Sequence, residues 1–226
     1  MIAEQLLRHA DIIGGDLLKT PILVVGAGAI GSWTVMTLSR IGFNNIAVID
    51  FDLVTEVNLG AQGYSMADAK KKRLKTDALY DQVLANSGIT LSTYDCSIAE
   101  AAEKFNVFHT RVIVISAADS MEARKFAFNR SLKTNTVKYF LDARMGAEFG
   151  QIFNIAMDNI VRTKDYSNSL FTDAQAAELP CMAKSTAYCA LAMSGILVSA
   201  VVNDLKGTIY KHYYKLDLAQ GVFNAY

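Results

Sequence analysis

Gly26, Gly28 and Gly31 stand in the run Val24-Val25-Gly26-Ala27-Gly28-Ala29-Ile30-Gly31-Ser32-Trp33, and carboxylates follow at Asp50 and Asp52. Glycines at this spacing let a backbone turn tightly and come close to a phosphate. The N–H groups that open the following helix, at Ala29, Ile30 and Gly31, favour its negative charge. Asp50 ends the next apolar run, where a carboxylate can hold the two hydroxyls of a ribose. The chemistry on offer is nucleotide binding. The glycine turn alone is shared by nicotinamide, flavin and adenylate sites. Asp52 and Asn58 lie just beyond, where a loop can turn back on the nucleotide; Asn58 also suits ordinary turn chemistry.

Such residues need strands and helices to position them. The run 22–25 after Pro21 reads as a strand, the stretch from Gly31 to about Ile41 as a helix, and 46–50 as a second strand. A charged helix follows from about Ala67 to Leu84. Residues 89–94 alternate as a strand, and 112–116 is an apolar run of the doubly buried kind. A helix is expected over 120–133, then strands at 138–142 and 149–157. From 158 to 184 the pattern fails, and an irregular stretch of that length inside a domain is commonly functional. A helix over 185–205 and a strand near 208–218 close the chain. Strands alternating with helices predict an α/β fold: a three-layer, Rossmann-like, largely parallel sheet with a C-terminal antiparallel extension. We read one domain over 1–226. It has an N-terminal helix in 1–20, a nucleotide-binding core over 21–157, a crossover loop over about 158–184, and a C-terminal helix and strand over 185–226.

The 226 residues carry 22 basic and 22 acidic side chains and are 52% hydrophobic, which suits a large core and argues against a nucleic-acid partner. Three cysteines without a CxxC pair exclude a four-cysteine zinc site and fit a reducing compartment. The first residues lack a signal-peptide core. The most apolar segment, 190–202, is too short to span a bilayer and reads as a buried helix. No membrane partner and a cytoplasmic location are expected.

Taken together, the glycine run, Asp50-Phe51-Asp52, Asn58 with Gln62, Lys75, and Ser116-Ala-Ala-Asp119 with Arg124 resemble the adenylating family of ThiF, MoeB and the ubiquitin-activating enzymes. The resemblance runs from about Ile22 to Leu205. Phe140-Leu-Asp142-Ala-Arg144-Met-Gly146 and Pro180-Cys181 are similar to the compact ThiF-type proteins of phages, plasmids and bacterial ubiquitin-like systems. The family implies a reaction in which the C-terminal carboxylate of a ubiquitin-like or sulfur-carrier protein attacks the α-phosphate of Mg-ATP. The expected cofactors are ATP and Mg²⁺, without zinc. The expected partners are a carrier ending in glycine, a conjugating enzyme in some systems, and a second copy of the chain.

The resemblance also implies roles. Gly26, Gly28, Ala29, Ile30, Gly31, Asp50, Asp52, Asn58 and Gln62 fall on nucleotide-binding positions. Lys75 falls on the lysine that contacts the triphosphate, although it sits in a charge run that also reads as a solvated helix face. A one-turn shift would move that role to Lys71 or Lys72. Asp119, just past the carboxyl end of strand 112–116, falls on the magnesium-binding aspartate and also suits a helix N-cap. Arg124 fits either a structural role or the phosphates. Cys181 precedes the helix that starts near Ser185, beside Lys184, a setting that favours thiolate. In thioester-forming relatives a crossover-loop cysteine takes the acyl group. Cys96 and Cys189 read as packing residues. Family members commonly carry arginine where Ala61 stands; its loss would weaken catalysis or be compensated by the neighbouring cluster Lys70 to Arg73, which puts activity in question more than binding. Arg8 is the one arginine ahead of the first strand that could serve across a dimer. Two other readings share the glycine turn: a nicotinamide-dependent oxidoreductase, and a non-catalytic scaffold of the same family.

Overall fold

The computed structural model describes residues 4–171 and 185–226. Eight strands form one sheet in the order β3-β2-β1-β4-β5-β6-β7-β8. β1 (Ile22–Val25), β2 (Ile46–Ile49), β3 (Ser92–Tyr94), β4 (Ile113–Ser116) and β5 (Tyr139–Gly146) run parallel. β6 (Phe149–Ala156), β7 (Tyr213–Asp217) and β8 (Val222–Ala225) continue antiparallel. β1, β2 and β4 are buried at every residue. Their unbroken apolar character follows, because a central parallel strand is covered on both faces.

Alternate side chains of these strands feed two cores. Ile22, Val24 and Val48 pack with α1 (Ala29–Arg40), α3 (Lys75–Ser87) and α7 (Ala187–Lys206). Leu23, Val25, Ala47 and Ile49 pack with α4 (Ile98–Lys104), α5 (Met121–Leu132) and α6 (Ile160–Asn168). The protein is thus a three-layer α/β fold with a parallel centre and an antiparallel C-terminal extension, as its strand and helix alternation predicts.

Several elements differ from the sequence expectation. The single charged helix is two: α2 (Met66–Lys70) and α3. Lys72 takes a left-handed φ of 47°, and Val54 N–H donates to the Arg73 carbonyl at 2.8 Å, so the chain between them is drawn out to pair with the β2 loop. The N-terminal helix is two short 3₁₀ helices, Glu4–His9 and Gly15–Lys19, parted at Gly15, whose φ is +61°. α4 appears where no helix was expected; Ser97 caps it by accepting from Glu100 N–H at 3.2 Å. That Ser-x-x-Glu spacing is a helix start signal in its own right.

α6 forms inside the stretch expected to be irregular from residue 158. Asn159 caps it, and Tyr166 is its one buried side chain. A helix that turns in a single large residue shows no apolar stripe. The aromatic C-terminal residues close the sheet as a β7–β8 hairpin turned at Gly221. α7, 20 residues, agrees with the helix expected over 185–205 and by length and composition is long and apolar enough to cross a bilayer. Half of its apolar window is buried, and its inward face packs on the sheet and α1.

Candidate functional site

β1 delivers the chain into the glycine turn at the carboxyl edge of the sheet. Gly26 has φ +93°, and a Cβ there would lie 2.7 Å from the Ala117 carbonyl oxygen. A Cβ on Gly31 would meet the Gly26 carbonyl oxygen at 1.9 Å, so the first turn of α1 can lie on the loop only because that residue is glycine. Gly28 meets nothing within 4 Å and faces open space. It is the N-cap of α1, no side chain caps that end, and no acid stands in the first turn. The two outer glycines are required by the fold, whereas the middle one leaves room for a visitor.

Two side chains brace the turn. Ala27 N–H donates to Asp50 Oδ2 at 2.7 Å, and the Tyr64 hydroxyl donates to the Ala27 carbonyl at 2.6 Å. Tyr64 is buried, and burial first, then the nearby carboxylates, pushes its phenol well above the ordinary value. Nothing in the sequence flagged it; a lone tyrosine in a loop carries no periodic signal.

Asp50 ends β2 and is held on both oxygens, Oδ1 accepting from Asp52 N–H at 2.8 Å. Burial raises its pKa, opposed by the Lys75 ammonium and the two N–H groups. Lys75 opens α3 and is 5% exposed. Its Nζ donates to Asp52 Oδ2 at 2.7 Å and lies 4.0 Å from Asp50 Oδ2. The lysine reaches this place because Leu53 pairs antiparallel with Leu74, and Lys75 N–H donates to the Asp52 carbonyl at 2.9 Å. A buried ammonium beside an anion-ready turn is a ready counter-charge for phosphates. Lys71 and Lys72 are exposed.

A cavity of about 390 Å³ opens here, lined by Gly26, Asp50, Asp52, Cys96, Ala118, Ser120 and Phe126 among others. That volume is in the range of small-molecule sites. Cys96 packs against the second core, as expected, and also lines this cavity. Asp119 is exposed, between two lining residues, and Ser120 rather than Asp119 caps α5, accepting from Ala123 N–H at 3.2 Å. Among the described residues no three His, Cys, Asp or Glu side chains cluster as a metal site. A second cavity lies further along the same sheet edge. It is about 450 Å³, lined by Arg144 to Phe149, Gln151, Phe171, Asp217 and Ala219, and shares no lining residue with the first.

The remaining candidates divide. Asn58 Oδ1 accepts from the Thr55 N–H and hydroxyl at 2.9 and 3.0 Å, completing the capping box of the short helix Glu56–Gly60, whose N-cap is Thr55. Gln62 is half-buried, and its Oε1 has no protein donor. Ala61 is buried, and its carbonyl accepts from Trp33 Nε1 at 2.9 Å. Arg73 is committed to Asp68 and Asp81. Arg124 is buried against Asp142 and the Ala143 carbonyl. Arg8 is exposed, and Cys189 is buried in α7. Cys181, with Lys184, lies outside the described residues.

The fold and this site define a doubly wound α/β protein with a glycine turn, a buried lysine and two carboxylates at one sheet edge. The ThiF family model matches residues 10–224, and the chain belongs to that family. The catalytic subunit of the NEDD8-activating enzyme E1 of Caenorhabditis elegans is 31% identical over 111 residues, 49% of this chain and 25% of that protein. Among solved structures, PaaA superposes with a TM-score of 0.74 at 18% identity, over 93% of this chain and 74% of that one. E. coli MccB, crystallised with AMPCPP and MccA, superposes at 0.69 and 14% identity, over 93% and 64%. The chain spans between about a fifth and a half of the length of the first curated relatives it matches.

Proposed function

We propose that the protein binds Mg-ATP at the glycine turn and adenylates the C-terminal carboxylate of a ubiquitin-like or sulfur-carrier protein. One observation carries the reading: a buried lysine, 4.0 Å from the ribose-placed Asp50, beside a turn with uncapped N–H groups. Hydride transfer to or from a nicotinamide needs the turn and the acid but not that lysine, which disfavours the oxidoreductase reading. Asp50 would hold the ribose, Gly28, Ala29, Ile30 and Gly31 would offer N–H groups to the phosphates, and Lys75 would neutralise the triphosphate. Asn58 and Gln62 would close on the nucleotide from the loop.

Asp119 would hold Mg²⁺. One hard carboxylate suffices for an ion that takes its other ligands from phosphates and water, and the bound metal would screen charge between the two anions. The carrier carboxylate oxygen would bond to the α-phosphorus as the bond to pyrophosphate breaks, giving an acyl-adenylate. The apolar cavity on the same sheet edge would take the carrier's tail. We extend the reading to thioester formation on Cys181, homodimerisation, a conjugating partner and a cytoplasmic setting.

Pyrophosphate exchange into ATP tests the reading, with candidate carriers ending in glycine and with Lys75→Met and Asp119→Ala. Carrier-dependent exchange that both substitutions abolish supports adenylation. ATP binding without exchange for any carrier would replace it with the scaffold reading, and stabilisation by NAD but not by ATP would replace it with the oxidoreductase.

A further inference from the structure

Asp52 is tied to both residues that the proposed chemistry depends on. Its N–H donates to Asp50 Oδ1 at 2.8 Å, its carbonyl accepts from Lys75 N–H at 2.9 Å, and its carboxylate takes the Lys75 ammonium at 2.7 Å. The main chain of Asp52 therefore fixes the spacing between the acid and the lysine. Its carboxylate is not needed for that spacing.

We infer that this carboxylate is the resting counter-ion of Lys75, which holds the lysine aimed at the site and releases it to a triphosphate, rather than a ligand of the nucleotide. The inference rests on the nucleotide-binding reading above. An ammonium 93% covered needs a partner when no nucleotide is present, because an unpaired buried charge is costly. Asp50 also faces the ammonium, but at 4.0 Å and without a hydrogen bond, so the close contact is left to Asp52. The Asp52 side chain is 48% exposed, so on leaving the lysine it returns to water at little cost. A triphosphate brings more charge to the same ammonium and displaces it. Adenosine carries no phosphate and leaves the pair intact.

The pair therefore opposes triphosphate binding and is silent toward adenosine. Calorimetric titration of α,β-methylene ATP and of adenosine reads this out, with Mg²⁺ and with EDTA. The proteins are the wild type, Asp52→Asn, Lys75→Met and the double variant, with Asp52→Ser as a second removal of the charge and melting curves to confirm folding. We expect Asp52→Asn to tighten α,β-methylene ATP about two- to fivefold, the worth of a partly exposed ion pair. Adenosine affinity stays unchanged, and the gain vanishes in the Lys75→Met background, as coupled residues require. Weaker triphosphate binding on losing Asp52, with Mg²⁺ alone or in both buffers, makes it a metal or nucleotide ligand and overturns the inference. An equal gain without Lys75 reduces the effect to general charge repulsion and overturns it too. Wild-type protein that binds neither compound fails the nucleotide reading itself, a distinct result.

Discussion

At the residue scale the three glycines separate structure from ligand. Gly31→Ala places a Cβ 1.9 Å from the Gly26 carbonyl oxygen and is expected to cost more than about 3 kcal/mol in denaturant unfolding. Gly28→Ala meets no atom within 4 Å, and stability is expected to stay within about 1 kcal/mol of wild type. Its added methyl occupies the space a phosphate would enter, so ATP affinity in the same protein is expected to fall about tenfold or more. Equal ATP binding by the Gly28 variant would detach the turn from nucleotide. Tyr64→Phe removes the hydroxyl that holds the Ala27 carbonyl and should cost about 1 kcal/mol, read by the same unfolding assay.

At the element scale the question is what locks helices to strands near the site. Asp142 on β5 is fully buried between Arg124 of α5 and Arg144 of its own strand, and Arg144 Nε donates to it at 2.7 Å. The Arg144 guanidinium also lies 4.5 Å from the Phe153 ring and donates to the Ser169 carbonyl at 3.3 Å, drawing in the end of α6. Asp142→Ala leaves two buried cations facing each other, and the expected loss is about 3–5 kcal/mol by denaturant unfolding. Phe140, Phe128 and Phe153 close around Tyr166, so one aromatic residue anchors α6 where a stripe of aliphatic ones normally would. This is why α6 was illegible: its packing comes from distant strands rather than from its own periodicity.

At the scale of the whole molecule, α7 and β6 meet at a buried acid. Asp204, in the last turn of α7, is pushed up to about 7 by burial, with Asn154 Nδ2 donating to it at 3.1 Å. Its Oδ2 and the Asn154 Oδ1 are both buried without a donor. The folded pKa exceeds the unfolded value of about 3.9, so the folded state binds the proton more tightly. Stability is therefore full below about pH 4 and declines as pH rises toward about 7, by an amount on the order of 2–4 kcal/mol from this group. Asp204→Asn should flatten that decline and raise the melting temperature at pH 8 by roughly 5–10 °C. A pH-independent difference between the two proteins would mean that Asp204 keeps an ordinary pKa.

The sequence by itself determined the central strands, the glycine turn, Asp50 at the end of β2 and the α/β order of layers. All of these are local: an apolar run bounded by glycine, or an acid at a fixed distance from a turn, means the same wherever the chain later goes. Tertiary structure alone decided which side chains share the site. Lys75 becomes a buried neighbour of Asp50 and Asp52 because Leu53 pairs with Leu74 across a helix break, and the charge run gave no hint of that pairing. Tyr64 reaches Ala27 across 37 residues, Cys96 turns into the cavity, and Arg124 goes to Asp142 rather than to the site. Each of these is a long-range contact set by how the β2 loop, α3 and α5 pack on one sheet edge, and spacing along a chain does not encode such a contact.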